Sequence, residues 1–189
     1  SNSAFAAVWK LSRRQLEEKP HIDEFIRGAQ VLYGDNATWA RVREAAVGAN
    51  LLIYLGHGNG WPSPYAPFST TSKDGMGLNA TAGNGNSNTK YFGEYYMAKL
   101  ALADDAVVIL NRLCYASGNN EWGAGNPTRS TAIKRVDNYG YGFLKAGARA
   151  VYASGITSAG YVVKGLFRAS ASMDLKQLSY FVHVAELSS

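Results

Sequence analysis

Two apolar runs of the chain each lead into residues that can carry chemistry. The first, Leu51–Leu55, is followed by Gly56, His57 and Gly58, and the second spans 106–110. Uninterrupted apolar runs of this length, bounded by turn residues, are typical of strands buried on both faces of a sheet. The pattern therefore predicts two core strands, each ending at a polar or glycine-rich turn.

The remaining hydrophobic pattern alternates between helical and strand-like segments. The predicted elements are a helix over about 4–19 ending before Pro20, a strand over 30–33, a helix over 38–47 capped by Thr38, helices over 91–102 and about 130–145, and a strand over 148–153. Strands that alternate with helices predict parallel βαβ units and an α/β fold with a mainly parallel sheet. We expect the strands 51–55 and 106–110 to be parallel neighbours.

The length of 189 residues predicts one domain, 1–189, with two irregular ends and a long loop. We expect an N-terminal helical extension over 1–29, a long polar loop over 58–90 and a C-terminal helical tail over 169–189. The loop is rich in Gly, Asn, Ser and Thr, which predicts early proteolysis near Lys73 or Lys90. The part of the tail over 173–186 resembles the opening helix of LysR-type regulators, but no groove-reading second helix follows, which favours a packing helix.

Composition narrows the class of function. Hydrophobic residues make up 47% of the chain and charged residues 17%, as in globular proteins, and no apolar run is long enough to predict a membrane span. The net charge of +5 comes from scattered Lys and Arg residues without a basic stripe, which argues against nucleic-acid binding. A single cysteine excludes an internal disulfide. Ser1, Asn2 and Ser3 are typical of a cloning remnant, so a removed export signal stays possible.

The candidate chemistry lies just past the two core strands. His57 is two positions after Leu55, and Cys114 is four positions after Leu110. The carboxyl ends of parallel neighbours emerge at one edge of a sheet, so we expect the imidazole and the sulfur to lie about 4–7 Å apart. A cysteine attacks as its thiolate, and a histidine can accept its proton near neutral pH. We therefore expect a Cys–His dyad whose alkylation rate changes below about pH 8.

Other interpretations compete with the dyad. A lone cysteine beside a strand is most often a small buried hydrophobe, and a histidine in a glycine-rich turn is often a loop residue. The glycines at 56, 58 and 60 also suggest a nucleotide site, but such a site needs its glycines to open a helix. Here Trp61 and Pro62 follow instead, which disfavours the nucleotide interpretation.

The order of these segments resembles a known family. An apolar run, His57-Gly58, a second apolar run and then Cys114, 57 positions after the histidine, are similar to the caspase-like cysteine peptidases, which include caspases, gingipains, legumain, clostripain and CHAT domains. The segment 141–154, with its Ala146-Gly147-Ala148, looks most like the gingipain and CHAT branch. The resemblance covers roughly residues 30–168 and implies a three-layer αβα sandwich with a mainly parallel sheet.

The resemblance also implies a reaction. His57 would be the catalytic histidine, Cys114 the nucleophile of a cysteine endopeptidase, and the backbone N–H groups of Gly58 and Cys114 the oxyanion hole. The implied enzyme uses no metal or cofactor and acts on a protein or peptide through an acyl-enzyme. Its location is open, with an extracellular or cell-surface protein favoured. Candidate substrate contacts are Trp61, Glu121 and Trp122. The sequence departs from many relatives immediately before the cysteine, where Arg112 and Leu113 replace small or acidic residues.

A second hypothesis keeps the fold without the catalysis. An inactive caspase-like module would bind a protein or a glycan through aromatic residues of its polar loops, such as Trp61, Tyr65, Phe68 and Trp122. For the acidic residue of a specificity pocket, which the peptidase hypothesis calls for, the candidates are Glu121 and Asp137. The state of Cys114 separates the two hypotheses, because an active site needs an accessible thiol near His57 and a binding scaffold does not.

Overall fold

The structure is a computed structural model that describes residues 5–9, 29–83, 85–156 and 161–162, with side chains described from residue 30 onward. Its strands and helices, in chain order, are β1 (Phe5–Trp9), β2 (Ala29–Tyr33), α1 (Trp39–Ala46), β3 (Leu51–Leu55), β4 (Met76–Asn79), β5 (Thr89–Phe92), α2 (Glu94–Met97), β6 (Ala106–Asn111), α3 (Arg129–Lys145) and β7 (Ala148–Ser154). Two short 3-10 helices lie at Gly34–Asn36 and Asn86–Asn88. The protein is therefore α/β, as the hydrophobic pattern predicted.

The main sheet has the strand order β2–β1–β3–β6–β7. Strands β3, β6 and β7 are parallel, whereas β1 is antiparallel to both of its neighbours. The register pairs Leu51 with Val107 and Tyr54 with Leu110, so β3 and β6 end side by side. This confirms the prediction that the two apolar runs are parallel neighbours, and it brings the turns after them to one edge of the sheet.

The central strands are buried on both faces. Leu52 of β3 and Leu110 of β6 belong to a hydrophobic core that also contains residues of α1 and α3. Ile53 and Ile109, which alternate with them and point to the opposite face, are buried as well. Burial on both faces is compatible with an αβα sandwich.

The prediction of an N-terminal helix is wrong for residues 5–9, which form β1. This segment is an uninterrupted apolar run of five residues, which suits a strand as well as a helix. Placed between β2 and β3, it pairs its backbone groups with both strands. The rest of the expected extension over 1–29 and the tail over 169–189 lie outside the described residues.

The segment 58–90, expected to be a polar loop, contains β4 and leads into β5, and the two strands form an antiparallel hairpin. Met76 and Leu78 of β4 are fully buried and anchor the hairpin in the core. The helix predicted over 91–102 is correspondingly shorter, because Phe92 ends a strand and α2 is a single turn. Gly93 separates the two, and a Cβ there would overlap the carbonyl oxygens of Thr70 and Lys73.

Helix α3 reaches both the core and the site. It begins one residue before the predicted start, and Thr128 caps it by accepting a hydrogen bond from the Thr131 N–H at 3.3 Å. At Gly142 the helix packs so closely against α2 that a Cβ there would lie 2.8 Å from the Cβ of Met97. No helix among the described residues is long and apolar enough to cross a membrane.

Candidate functional site

His57 lies in the turn that follows β3, and the β4–β5 hairpin holds it there. The Gly77 N–H of β4 donates to the His57 carbonyl oxygen at 3.1 Å, and a side chain at Gly77 would press on the His57 Cβ. The buried Tyr54 hydroxyl donates to the Gly77 carbonyl at 2.7 Å and lies 3.1 Å from the His57 carbonyl. The histidine backbone is therefore fixed by a strand on one side and a hairpin on the other.

Cys114 lies in the turn that follows β6. Arg112 and Tyr115 on either side of it have positive φ, 57° and 70°, so the chain bends sharply around the cysteine. The Arg112 N–H donates to the Ser154 carbonyl of β7 at 2.8 Å, and the Leu113 side chain is buried in the core. The turn is thus anchored to the sheet, and the Cys114 side chain is left only half-buried.

The two turns meet at Gly58 and Cys114. A Cβ at Gly58 would overlap the Cys114 carbonyl oxygen and would lie 3.1 Å from the Cys114 nitrogen. Within the described part of the chain, the backbone N–H groups of Gly58 and Cys114 donate to no protein oxygen. The backbones that carry the two N–H groups expected to form an oxyanion hole are therefore in contact.

The imidazole of His57 and the thiol of Cys114 make no hydrogen bond with each other among the described residues. The dyad itself stays a prediction. The structure shows that the two backbones are adjacent and that both side chains are partly accessible.

Glu121 places a negative charge near the Cys114 thiol. Its carboxylate accepts hydrogen bonds from the Tyr115 hydroxyl at 2.7 Å and from the Tyr65 hydroxyl at 3.2 Å. Burial, and then the negative charge of Glu121, raise the pKa of Cys114, while the N–H groups of Trp122 and of Cys114 itself and the charge of Arg112 oppose the rise. The described geometry therefore favours the neutral thiol, opposite to the lowered thiol pKa expected from the sequence.

The proposed substrate contacts differ in their surroundings. Trp122 is 88% exposed beside the thiol, and the Arg112 guanidinium lies 5.4 Å from its ring centre. Trp61 is partly buried instead, and its ring contacts Phe68 at 5.7 Å between centres. The structure thus places Glu121 and Trp122 next to Cys114. Asp137 is exposed on α3, and no hydrogen bond ties it to this site among the described residues.

Two charged residues that the sequence did not indicate as part of the site support the turn after His57. Lys73 is 3% exposed, and its Nζ donates to Asn59 Oδ1 at 2.9 Å, to Ser63 Oγ at 3.2 Å and to the Tyr65 carbonyl at 2.5 Å. Its neighbour Asp74 is fully buried. Both residues lie in the segment expected to be a long polar loop, and polar composition alone gave no sign of their burial.

Asp74 holds the same turn through one carboxylate oxygen. Its Oδ1 accepts the Trp61 N–H at 2.8 Å, while its Oδ2 has no hydrogen-bond partner among the described residues. Burial raises the pKa of Asp74 to about 7, against the opposing effect of the Trp61 N–H. Helix α3 adds two more supports to this turn, since Asn138 donates to the Trp61 carbonyl at 2.9 Å and the Tyr139 hydroxyl accepts the Asn59 N–H at 3.2 Å.

Across the described ranges, no three His, Cys, Asp or Glu side chains group closely enough to hold a metal ion. No protein-family model, curated protein or solved structure matches this chain. The resemblance to caspase-like peptidases therefore rests on the chain's own residues, and it stays a prediction.

Proposed function

We propose that the protein is a cysteine peptidase of caspase-like fold, with Cys114 as nucleophile and His57 as general base. The observation that carries the proposal is the contact of the two strand-end turns, which brings together the backbones that carry the Gly58 and Cys114 N–H donors. Such a pair suits the negative charge that develops on a carbonyl oxygen during acyl transfer. Its position at the carboxyl ends of parallel strands is the usual place for an active site in an open α/β sheet.

The proposed reaction begins from the neutral thiol. As the Cys114 sulfur adds to the scissile carbonyl carbon, its proton passes to the His57 imidazole, and the oxyanion accepts hydrogen bonds from the Gly58 and Cys114 N–H groups. When the carbon–nitrogen bond breaks, the imidazolium gives its proton to the leaving amine. Water, deprotonated by the same imidazole, then hydrolyses the thioester and restores the thiol. A raised resting pKa of Cys114 is compatible with this order, because the proton leaves only as the new bond forms.

The test is covalent trapping with peptidyl acyloxymethyl ketones, which label a peptidase cysteine that its histidine activates. We expect the probe to label Cys114 of the wild type and His57→Ala to slow the labelling by about 100-fold, the size of a lost general base. Iodoacetamide, applied at a pH at which the thiol ionises without help from the histidine, serves as the control for simple access to the thiol. Equal slowing of both reagents, or no effect of His57→Ala, would refute the dyad.

The second candidate is the inactive binding module, favoured by one observation: burial and Glu121 raise the pKa of Cys114, which opposes thiolate formation. In this case Trp122 and Tyr65, both exposed beside the cysteine, would contact a protein or glycan partner. A thiol that reacts with iodoacetamide but not with the peptidyl probe would favour this candidate over the peptidase.

A further inference from the structure

One buried guanidinium group forms hydrogen bonds with both loops of the site. Arg135 on α3 is 4% exposed, and its Nε donates to the Pro62 carbonyl at 2.6 Å. Its Nη1 lies within hydrogen-bond distance of the Gly118 carbonyl at 3.3 Å, the Asn119 carbonyl at 2.8 Å and Asn120 Oδ1 at 2.6 Å. Pro62 belongs to the loop after His57, and the other three belong to the loop after Cys114.

The positive charge of Arg135 is buried among neutral hydrogen-bond acceptors. A buried cation normally needs a carboxylate partner, yet within the described residues Arg135 forms no ion pair. Its guanidinium is surrounded by carbonyl and amide oxygens of the two loops and lies 4.8 Å from the ring centre of Tyr115, the residue after Cys114. Since arginine keeps its charge when buried, both loops are held to it by charge-assisted hydrogen bonds.

The fork shape of the group matters to this arrangement. Nε and Nη1 diverge in one plane, so one side chain can address acceptors on two separate loops at once. A lysine has a single charged centre and cannot place donors in both directions with the same geometry.

We propose that Arg135 is a positioning residue that couples the loops 58–62 and 115–120, and so sets the placement of the His57 turn against the Cys114 turn. The catalytic consequence rests on the proposed function. The coupling of the loops does not, because it follows from the contacts of the guanidinium alone.

The coupling is tested by amide hydrogen exchange in the full chain. In Arg135→Lys and Arg135→Ala we expect faster exchange in both loops together, because each loses the same anchor. Guanidinium chloride at about 10 mM, far below the molar concentrations that unfold proteins, should restore protection in Arg135→Ala, whereas methylammonium should not. Val42→Ala leaves a cavity where the buried face of α1 meets the core, so it is the control for lost stability. It should leave the amides of both loops protected from exchange.

The positioning role is tested by the rate of labelling with the peptidyl probe. We expect Arg135→Lys to lose up to about 100-fold, the cost of misplacing catalytic groups by about 1 Å, with iodoacetamide labelling little changed. Guanidinium should raise the rate of Arg135→Ala several-fold, and Val42→Ala should label at the wild-type rate.

The outcomes separate the two proposals. If the wild type shows no labelling that depends on His57, the proposed function fails, and the exchange experiment still decides the coupling. Exchange that rises in one loop only, or a variant that guanidinium does not rescue, would overturn the role of Arg135 even in an active enzyme.

Discussion

Gly58 lies directly against the backbone of Cys114, and no side chain would fit between them: a Cβ there would overlap the Cys114 carbonyl oxygen and approach the Tyr139 hydroxyl to 2.9 Å. The obstacle is backbone and a fully buried tyrosine, neither of which can move aside at low cost. The glycine after His57 is therefore required by the contact of the two turns, whatever reaction they support.

We expect Gly58→Ala to push the two turns apart. The variant should unfold at lower temperature than the wild type and lose Cys114 labelling by the peptidyl probe. Gly125→Ala is the matched control, because that position in the loop after Cys114 has open space around it. A Gly58→Ala protein with normal stability and labelling would show that the turns can separate without consequence.

The charge of Glu121 should be visible in the reactivity of the thiol. Because a negative charge beside Cys114 raises its pKa, Glu121→Gln is expected to lower that pKa. The midpoint of the iodoacetamide rate plotted against pH should then move to lower pH. Asp137→Asn removes an exposed charge from α3 and should leave the midpoint in place. A midpoint that does not move, or that rises, in Glu121→Gln would contradict the effect of its charge on the thiol.

The parts of the fold that could be predicted from sequence were those whose pattern has one interpretation. The runs at 51–55 and 106–110 are strongly apolar and bounded by turn residues, and their pairing confirms the predicted edge of the sheet. The helix over about 130–145 was found because Gly147 is a local signal of its end, whereas its cap, Thr128, was not identified. His57 and Cys114 could be singled out because they follow those strands directly.

The parts that were missed depend on distant contacts. The strand Met76–Asn79 has only four residues, all of them buried by packing that the sequence does not display. Lys73 and Asp74 look like surface residues in a polar segment, but the chain folds over them. Arg135 lies on an otherwise ordinary helix, and its role depends on two loops that begin far away in sequence.

Asp74 should make stability depend on pH. Its pKa is raised to about 7 by burial, so the folded protein keeps a proton that the unfolded chain releases near pH 4. The contribution of Asp74 to the free energy of unfolding therefore falls as pH rises from about 4 to about 7 and is lowest above that.

Asp74→Asn keeps an acceptor for the Trp61 N–H without the titrating charge. We expect this variant to be more stable than the wild type above pH 7 and the advantage to shrink as pH is lowered toward about 4. Urea unfolding across this range measures the difference, with Asp137→Asn as the exposed control. An advantage that stays constant with pH would show that Asp74 does not titrate in this window.

Lys73 should be a structural cation rather than a site of early cleavage. Lys73→Met leaves the part-buried acceptors on Asn59, Ser63 and Tyr65 without their shared donor, at a cost of about 1.5–3 kcal/mol, the usual value for a hydrogen bond to a charged group. We expect a lower free energy of unfolding and faster amide exchange in the loop after His57. Lys99→Met, at an exposed lysine, is the comparison and should have little effect. Trypsin cleavage of the folded wild type after Lys73 would contradict its burial.

The hydroxyl of Tyr139 links the turn after His57 to the segment that carries Asp74. It donates to the Gly75 carbonyl at 2.8 Å and accepts the Asn59 N–H at 3.2 Å, and the side chain is fully buried. Tyr139→Phe removes one oxygen, keeps the ring, and leaves the part-buried Asn59 N–H and the buried Gly75 carbonyl without this partner. We expect a loss of about 1–3 kcal/mol in the free energy of unfolding. Faster amide exchange at Asn59 should accompany it, because that N–H loses its only acceptor among the described residues.

Tyr141→Phe on the same helix is the control. That side chain is 49% exposed, so water can replace any hydrogen bond that is lost with its hydroxyl. If Tyr139→Phe is as stable as Tyr141→Phe, the hydroxyl does not hold the turn. If it is less stable but Asn59 exchanges as slowly as before, Asp74 and Lys73 hold the turn without it. Only the combination of lower stability and local exposure at Asn59 supports Tyr139 as the link between α3 and the histidine, because a loss of core packing alone would leave that amide protected.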